Sequence, residues 1–393
     1  MNLTVEQIAQ SYADYKNFVD KSDEKENQQL LMRNIMKQRS FVNSKIIDWL
    51  KNYNVKLNHQ ILDVISNKNK DLDQLFENLK TISVENYGFD NSMFTTKYKN
   101  DNIISGDIFV KIFNKTFSRV SLQGKGDNLI ESYISMMLQT LGLRNFIPIY
   151  SIFVYGPPIK LNNKEYLWGF NKNKYVYILT EYKKYAKEIR NITSFLNSKQ
   201  LIEVLIQIAC TLRQAKIKFN FSHNDLHSRN VMVDKFNKLQ SIELHTSRGI
   251  KIIKTYYVAY IIDFGTSSIN LEDGKKIGMN YASGIGVEDA QITQDFLFLV
   301  VELIRGLIRK QKIDDICESP DEWKFYQFTS EEKKQNEMDN LNLLKNITKF
   351  YLKSDVENII SVTNNWRLFQ FIPRFGNEIE EFDKIIDGMF KMK

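Results

Sequence analysis

The stretch Phe221–Asp234, FSHNDLHSRNVMVD, sets a carboxylate, Asp225, five positions ahead of an amide, Asn230. Two of the chain's four histidines, His223 and His227, fall inside it. Further on, the apolar, β-rich run Tyr257–Ile262 (YVAYII) closes on Asp263-Phe264-Gly265. Asn230 itself opens a shorter apolar run, Val231–Val233, that reads as a buried strand. Amide and carboxylate oxygens delivered from neighbouring strand ends are hard donors. A Mg²⁺ ion that bridges phosphates wants one or two of them, because it keeps waters and phosphate oxygens for the rest. Asp-Phe-Gly is a common tripeptide and His-Asn-Asp makes ordinary turns. The signal therefore lies in the order, separation and flanking strands taken together.

That combination, H-x-D-L-x-x-x-N followed by an apolar strand and I-I-D-F-G, resembles the catalytic and metal-binding loops of the protein-kinase superfamily. The resemblance runs from about Ser83 to Lys310. It implies ATP and Mg²⁺ as cofactors and transfer of the γ-phosphate to a hydroxyl, serine or threonine on a protein substrate before others. On this reading Asp225 orients the acceptor and takes its proton, while Asn230 and Asp263 hold the metal. Upstream, Ile108–Phe113 (IFVKIF) alternates with Lys111 at its centre, similar to the strand whose lysine holds the α- and β-phosphates. Glu131, in the helical pattern DNLIESYISMMLQTL, sits where the family's helix glutamate pairs with that lysine. Tyr175–Tyr182 (YVYILTEY) looks like the strand entering the hinge, with Thr180 as gatekeeper and the backbone of Glu181 and Tyr182 facing adenine. Asp295, at the start of FLFLVVELI, matches the aspartate that braces the catalytic loop. It is also simply a good helix cap.

The departures from the family pattern matter as much. The lid expected over the phosphates, Asn86–Thr95, holds a single glycine, Gly88, with Asn91 and Ser92 completing a looser cover. Position 224 is asparagine where many protein kinases carry arginine, and position 227 is histidine where lysine is frequent. No proline lies between Pro158 and Pro320, which removes any Ala-Pro-Glu element and puts a peptide platform of that type in doubt. Asp-Leu-His in the loop is shared with haspin-like kinases, with divergent kinases of large DNA viruses and with small-molecule phosphotransferases. An aminoglycoside- or choline-kinase-type enzyme, with acidic residues near Asp314–Asp321 as a cation site, therefore stays open. So does an ATP-binding pseudokinase, although Asp225, Asn230, Asp263 and Lys111 are all intact.

Behind these motifs the sequence predicts an α+β, bilobal kinase-like architecture: an N-terminal helical extension (1–82), a β-rich small lobe (83–182) and a helical large lobe with C-terminal helices (183–393). Residues 1–80 carry helical spacing, including LDQLFENLK, and read either as packing on the small lobe or as a module docking a partner. NSKQLIEVLIQIACTLRQAKIKF is the expected long helix before the catalytic loop. Residues 235–257 read as a hairpin turning at Ser247-Arg248-Gly249. The 393 residues are 43% hydrophobic and 26% charged, with a net charge of +7, which is ordinary for a globular chain. There is no nucleic-acid motif. Two cysteines, Cys210 and Cys317, give no disulfide framework and point to a reducing, cytoplasmic setting. The start lacks an apolar signal core, and no apolar run is long enough to span a bilayer.

Overall fold

In the computed structural model, the residues described lie mainly within 41–66, 76–84, 92–99, 104–114, 128–155, 175–286, 291–312, 329–352 and 376–393. Gly88, Asn91, residues 1–40 and the acidic stretch 314–321 fall outside them. The chain is a mixed α/β protein of two compact units. Among the described residues, those up to Gly142 together with Ile147–Lys184 form the first unit. Leu143–Phe146 and Tyr185 onward form the second.

The first unit is built on a five-stranded antiparallel sheet: β1 (Phe76–Val84), β2 (Ser92–Tyr98), β3 (Asp107–Asn114), β4 (Ile149–Tyr155) and β5 (Tyr175–Glu181), in the order β1-β2-β3-β5-β4. The period-two pattern of β3 buries Ile108 and Val110 and leaves Lys111 partly covered. Lys111 pairs with Met93 on one side and Ile178 on the other, so its strand is central and its side chain is no edge-strand lysine. Helices α1 (Val55–Ser66) and α2 (Asn128–Gln139) accompany the sheet, with further helical residues over 44–52. Asn58 of α1 accepts from Ser151 Oγ of β4 at 2.8 Å. Tyr53, stacked on Trp49 with ring centroids 4.4 Å apart, accepts from Gln139 at the end of α2. Trp49 and Tyr53 are thus partly covered by packing.

One local expectation fails here. The Leu/Phe spacing around residues 72–80 reads as helix, yet Phe76–Val84 is a strand. Pairing with β2 along its length, from Phe76↔Tyr98 to Val84↔Ser92, outweighs the local pattern, with register shifts on the way that absorb the misfit.

The second unit is helical around one long hairpin. After β6 (Lys187–Glu188) and the short α3 (Ile189–Ile192), α4 (Ser198–Phe219) is capped by Asn197 in a reciprocal capping box with Gln200. It ends at Asn220 in the left-handed conformation, a common stop for a helix. Strands β7 (Val231–Thr246) and β8 (Gly249–Ile261) pair from Val231↔Ile261 out to Thr246↔Gly249. The turn therefore lies at Ser247-Arg248, as the sequence predicts, but both strands run further than their apolar cores suggested. Buried Gln207 of α4 donates to Tyr257 O at 2.9 Å and accepts from Ala259 N at 3.1 Å. Asn145 donates to Ala259 O at 2.8 Å. These amides satisfy a strand edge that is otherwise shut away from water. Helices α5 (Ile292–Lys312), α6 (Ser330–Thr348) and α7 (Glu378–Met392) complete the unit. Arg213–Asp383 and Lys216–Glu378 ion pairs join α4 to α7.

A small hairpin, β9 (Ser268–Asn270) with β10 (Lys276–Gly278), follows Asp263-Phe264-Gly265. Gly278 has φ +104°, and a Cβ there would sit 2.0 Å from Ser267 O. Only glycine fits such a conformation and such an approach. Gly278→Ala is expected to cost at least about 2 kcal/mol, read as a lowered unfolding midpoint in urea by circular dichroism. An unchanged midpoint would show that Ser267 is not held against this strand.

Candidate active site

The loop between α4 and β7 is held from several directions. Asp295, fully buried in the first turn of α5, accepts from the backbone N–H of His223 at 2.7 Å and from that of Asn224 at 2.9 Å. Burial pushes its carboxyl up to about 7, against the two N–H bonds that favour the ionised form. Asn224 takes a left-handed φ of 64° and donates from its side chain to Thr266 O at 2.9 Å. Thr266 and Ser267 return hydroxyl bonds to His223 O, each at 3.2 Å. Ser222 and Ser268 exchange backbone bonds of 3.0 and 2.9 Å. Thr266, Ser267 and Ser268 thus stitch the two loops together.

His223 is buried, and its Nε2 lies 3.0 Å from Ile262 O. A carbonyl can only accept, so this nitrogen carries the proton. Desolvation lowers the pKa of His223 and keeps the ring neutral. The ring also belongs to an apolar cluster. Phe264 packs edge-on against Phe146 and Phe221, with centroids 5.9 and 6.1 Å away, and lies 5.5 Å from the His223 ring. The middle residue of Asp-Phe-Gly thus anchors the start of that loop in the core.

Asp225, Asn230 and Asp263 are brought into this one unit. Asn230 is buried and donates from Nδ2 to Asp225 O at 2.9 Å, so its other amide atom, the oxygen Oδ1, points away from the donor bond. Its backbone carbonyl accepts from Ile262 N at 3.0 Å. Asp263 follows directly, with φ 63° and an exposed side chain. A left-handed turn at a non-glycine residue is uncommon away from functional or turn positions. Here it ends the strand and swings the carboxylate out of the sheet. No cluster of three or more His, Cys, Asp or Glu side chains fit to hold a metal occurs among the described residues. The donors on offer, one amide oxygen and one exposed carboxylate, fit Mg²⁺ carried in on phosphates and would not make a self-sufficient protein cage.

His227 lies beside this group. Its Nδ1 accepts from Arg229 N at 3.2 Å, which leaves the proton on Nε2, 3.8 Å from Asp225 Oδ2. Burial first, then the Arg229 charge, lowers its pKa to about 4. A neutral Nε2–H therefore faces Asp225 at neutral pH. Sequence reasoning noted His227 only as a departure from lysine.

Lys111, Glu131, Glu181 and Tyr182 belong to the other unit. Lys111 Nζ meets both carboxylate oxygens of Glu131, at 2.9 and 2.7 Å, with both side chains largely covered. Of the hinge residues, Glu181 N donates to Pro148 O and Tyr182 N to Asp107 O. Those two donors are committed to the fold, which narrows the adenine-facing expectation for these residues to their carbonyls. Glu181 also pairs with Lys183 at 2.5 Å.

No protein-family model matches the chain. A curated protein of Invertebrate iridescent virus 3, named Probable kinase 098L, is 29% identical over 126 residues, 31% of this chain. The match spans 23% of that protein's length. The likeness is therefore to part of a protein named as a kinase. No helix among the described residues is long and apolar enough to cross a membrane.

Two outcomes follow from the loop's supports. Asp295→Asn sets an NH₂ group against one of two backbone donors. It should cost roughly 2–3 kcal/mol, measurable by urea unfolding, and wild-type stability would show that the brace is dispensable. The second concerns acid. The native His227 pKa of about 4 lies below the unfolded value, so the unfolded chain takes up the proton first. Stability contributed by neutral His227 is full above about 6.5 and is lost as pH falls toward 4. His227→Gln should therefore lose less stability over that window than wild type, by roughly 1–3 kcal/mol. Parallel curves for the two proteins would exclude the assignment.

Proposed function

We propose that the protein is an ATP-dependent phosphotransferase, a protein kinase that moves the γ-phosphate of Mg·ATP to serine or threonine. The observation that carries this reading is the Asn230 side chain, locked by its bond to Asp225 O beside the strand end that presents Asp263. One short loop thereby offers a base and one metal oxygen, and the paired strand offers the second. The partial likeness to a protein named as a kinase and the bidentate Lys111–Glu131 pair add independent support.

In this mechanism Asp225 accepts a hydrogen bond from the acceptor hydroxyl, aligns its oxygen with the γ-phosphorus and takes its proton as the new P–O bond forms, while the bond from the γ-phosphorus to the β,γ-bridging oxygen breaks and ADP leaves. His227, neutral with its Nε2–H toward Asp225, favours the carboxylate form and limits its rotation. Asn230 and Asp263 would hold Mg²⁺, which neutralises phosphate charge when bound. Lys111 binds phosphate oxygens, and Glu131 fixes where its ammonium sits. Asp295, through the N–H groups of His223 and Asn224, sets the path of the loop that carries Asp225. Aspartate at 225 with neutral histidine at 227 leaves the proton-accepting site without an adjacent lysine. The acceptor's own charge therefore weighs more in how it binds.

The test is transfer of label from γ-labelled Mg·ATP to a mixed panel of proteins. Wild type should label serine or threonine. Asp225→Asn should reduce the rate by about 10²–10⁴-fold with little change in ATP binding, and Lys111→Met should weaken both. Label reaching only small molecules, or no label beyond that of Asp225→Asn, would sink the protein-kinase reading.

A further inference from the structure

The second unit holds a cavity of about 330 Å³ beside the catalytic loop, at the lower end of the range of small-ligand sites (roughly 300–1,000 Å³). Its wall includes Arg190 from α3, His227 and Arg229 from the loop, and Glu302, Arg305 and Arg309 from α5. Four arginines and one glutamate thus line it. The chain has twelve arginines among its 54 Lys and Arg residues, and four of the twelve converge here while no described lysine does. A chain so rich in lysine that gathers arginine at one cavity is not displaying its average basic surface. Arginine is the side chain that grips phosphate and carboxylate groups through paired, planar N–H bonds.

The charges are only partly satisfied from within. Arg190 pairs with Glu188 at 2.5 Å and Arg305 with Glu302 at 3.2 Å. Arg229 and Arg309 are exposed, and neither makes an ion pair or a side-chain hydrogen bond with another described residue. Burial raises the pKa of Glu302, opposed by the positive charges of Arg305, Arg309 and Arg229. One carboxylate therefore shares three guanidinium charges, and the surplus is positive. The cavity's place relative to the chemistry follows from His227, which lines it and whose Nε2 is 3.8 Å from Asp225 Oδ2.

We propose that this cavity binds an anionic side chain of the protein acceptor, a phosphorylated or acidic residue near the hydroxyl to be modified, with Arg229 and Arg309 as specificity-determining residues. The proposal rests on the kinase reading for the word acceptor; the anion site itself rests on the arginines. It makes a peptide with a phosphoserine or a glutamate a few residues from its target serine the preferred substrate class, and a basic peptide a poor one.

Fluorescein-labelled peptides that carry a serine, and either a neutral residue or a phosphoserine nearby, would be titrated with the full chain and followed by fluorescence anisotropy. Wild type should bind the phosphopeptide at least tenfold more tightly than the neutral one. The double variant Arg229→Gln/Arg309→Gln should bring the two within twofold of each other, with its melting temperature unchanged. Lys199→Gln/Lys238→Gln, which removes the same charge from exposed positions elsewhere, should keep the preference. Equal binding of the two peptides by wild type overturns the proposal, as does equal loss of preference in both double variants. Competition with inorganic phosphate and free phosphoserine tells where the recognition lies. Displacement only by the peptide form supports a peptide site, and full displacement by inorganic phosphate at similar concentration overturns it. Transfer of γ-label to the same peptides is scored separately. Anion-selective binding without any transfer counts against the kinase reading and leaves the anion site standing.

Discussion

The buried carboxylate of Asp295 is the constraint on which the rest of the site depends. A carboxyl group without solvent needs partners, and this one finds them in two successive backbone N–H groups, those of His223 and Asn224. Binding two adjacent amides to one carboxylate fixes the orientation of both peptide planes. That in turn fixes the left-handed turn at Asn224 and the direction in which Asp225 leaves it. The carbonyl of His223, turned to the other side, collects the hydroxyls of Thr266 and Ser267. A single helix residue thereby sets one loop directly and the second loop through the first.

Hydrophobic packing supplies the complementary constraint. Phe264 lies among Phe146, Phe221 and the neutral ring of His223, so the segment after β8 is anchored by an apolar residue flanked by an exposed carboxylate and a glycine. Polar and apolar contacts act on the same few residues from opposite sides. Low dielectric around His223 strengthens its bond to Ile262 O, and that bond ties the end of β8 to the loop. The imidazole serves here as a structural donor, whereas His227, four residues on, has its Nε2 3.8 Å from Asp225 Oδ2.

Much of this was legible in the sequence, and the reasons for the rest are specific. The mixed α/β composition, the long helix ahead of the loop and the turn at Ser247-Arg248 follow from local periodicity and turn chemistry, which act over a few residues. Asp225 and Asn230 were visible because they share one short loop, and Asp263 because it closes an apolar run. Strand β1 was misread because leucine and phenylalanine at helical spacing say nothing about an available partner strand. The tight approach of Gly278 to Ser267 and the positive φ of Asp263 depend on contacts between segments that local patterns do not encode. The arginine-lined cavity was hidden for the same reason: its walls come from positions 190, 229 and 302–309, which only the fold assembles.

The β7–β8 hairpin carries two alignments in series. Near its base, Val231 to Lys235 pair with Ile261 to Tyr257 in unbroken step; beyond the irregularity between Lys235 and Gln240 the pairing resumes with a different offset. A slip of one residue at the base would turn every side chain to the opposite face and move Asn230 out of step with Asp263. A change in length at the distal turn need not do so, because the irregular segment takes up the difference. The hairpin tip answers to a separate tie, the Arg248–Asp387 ion pair at 2.7 Å, while the few pairs at the base must keep their count.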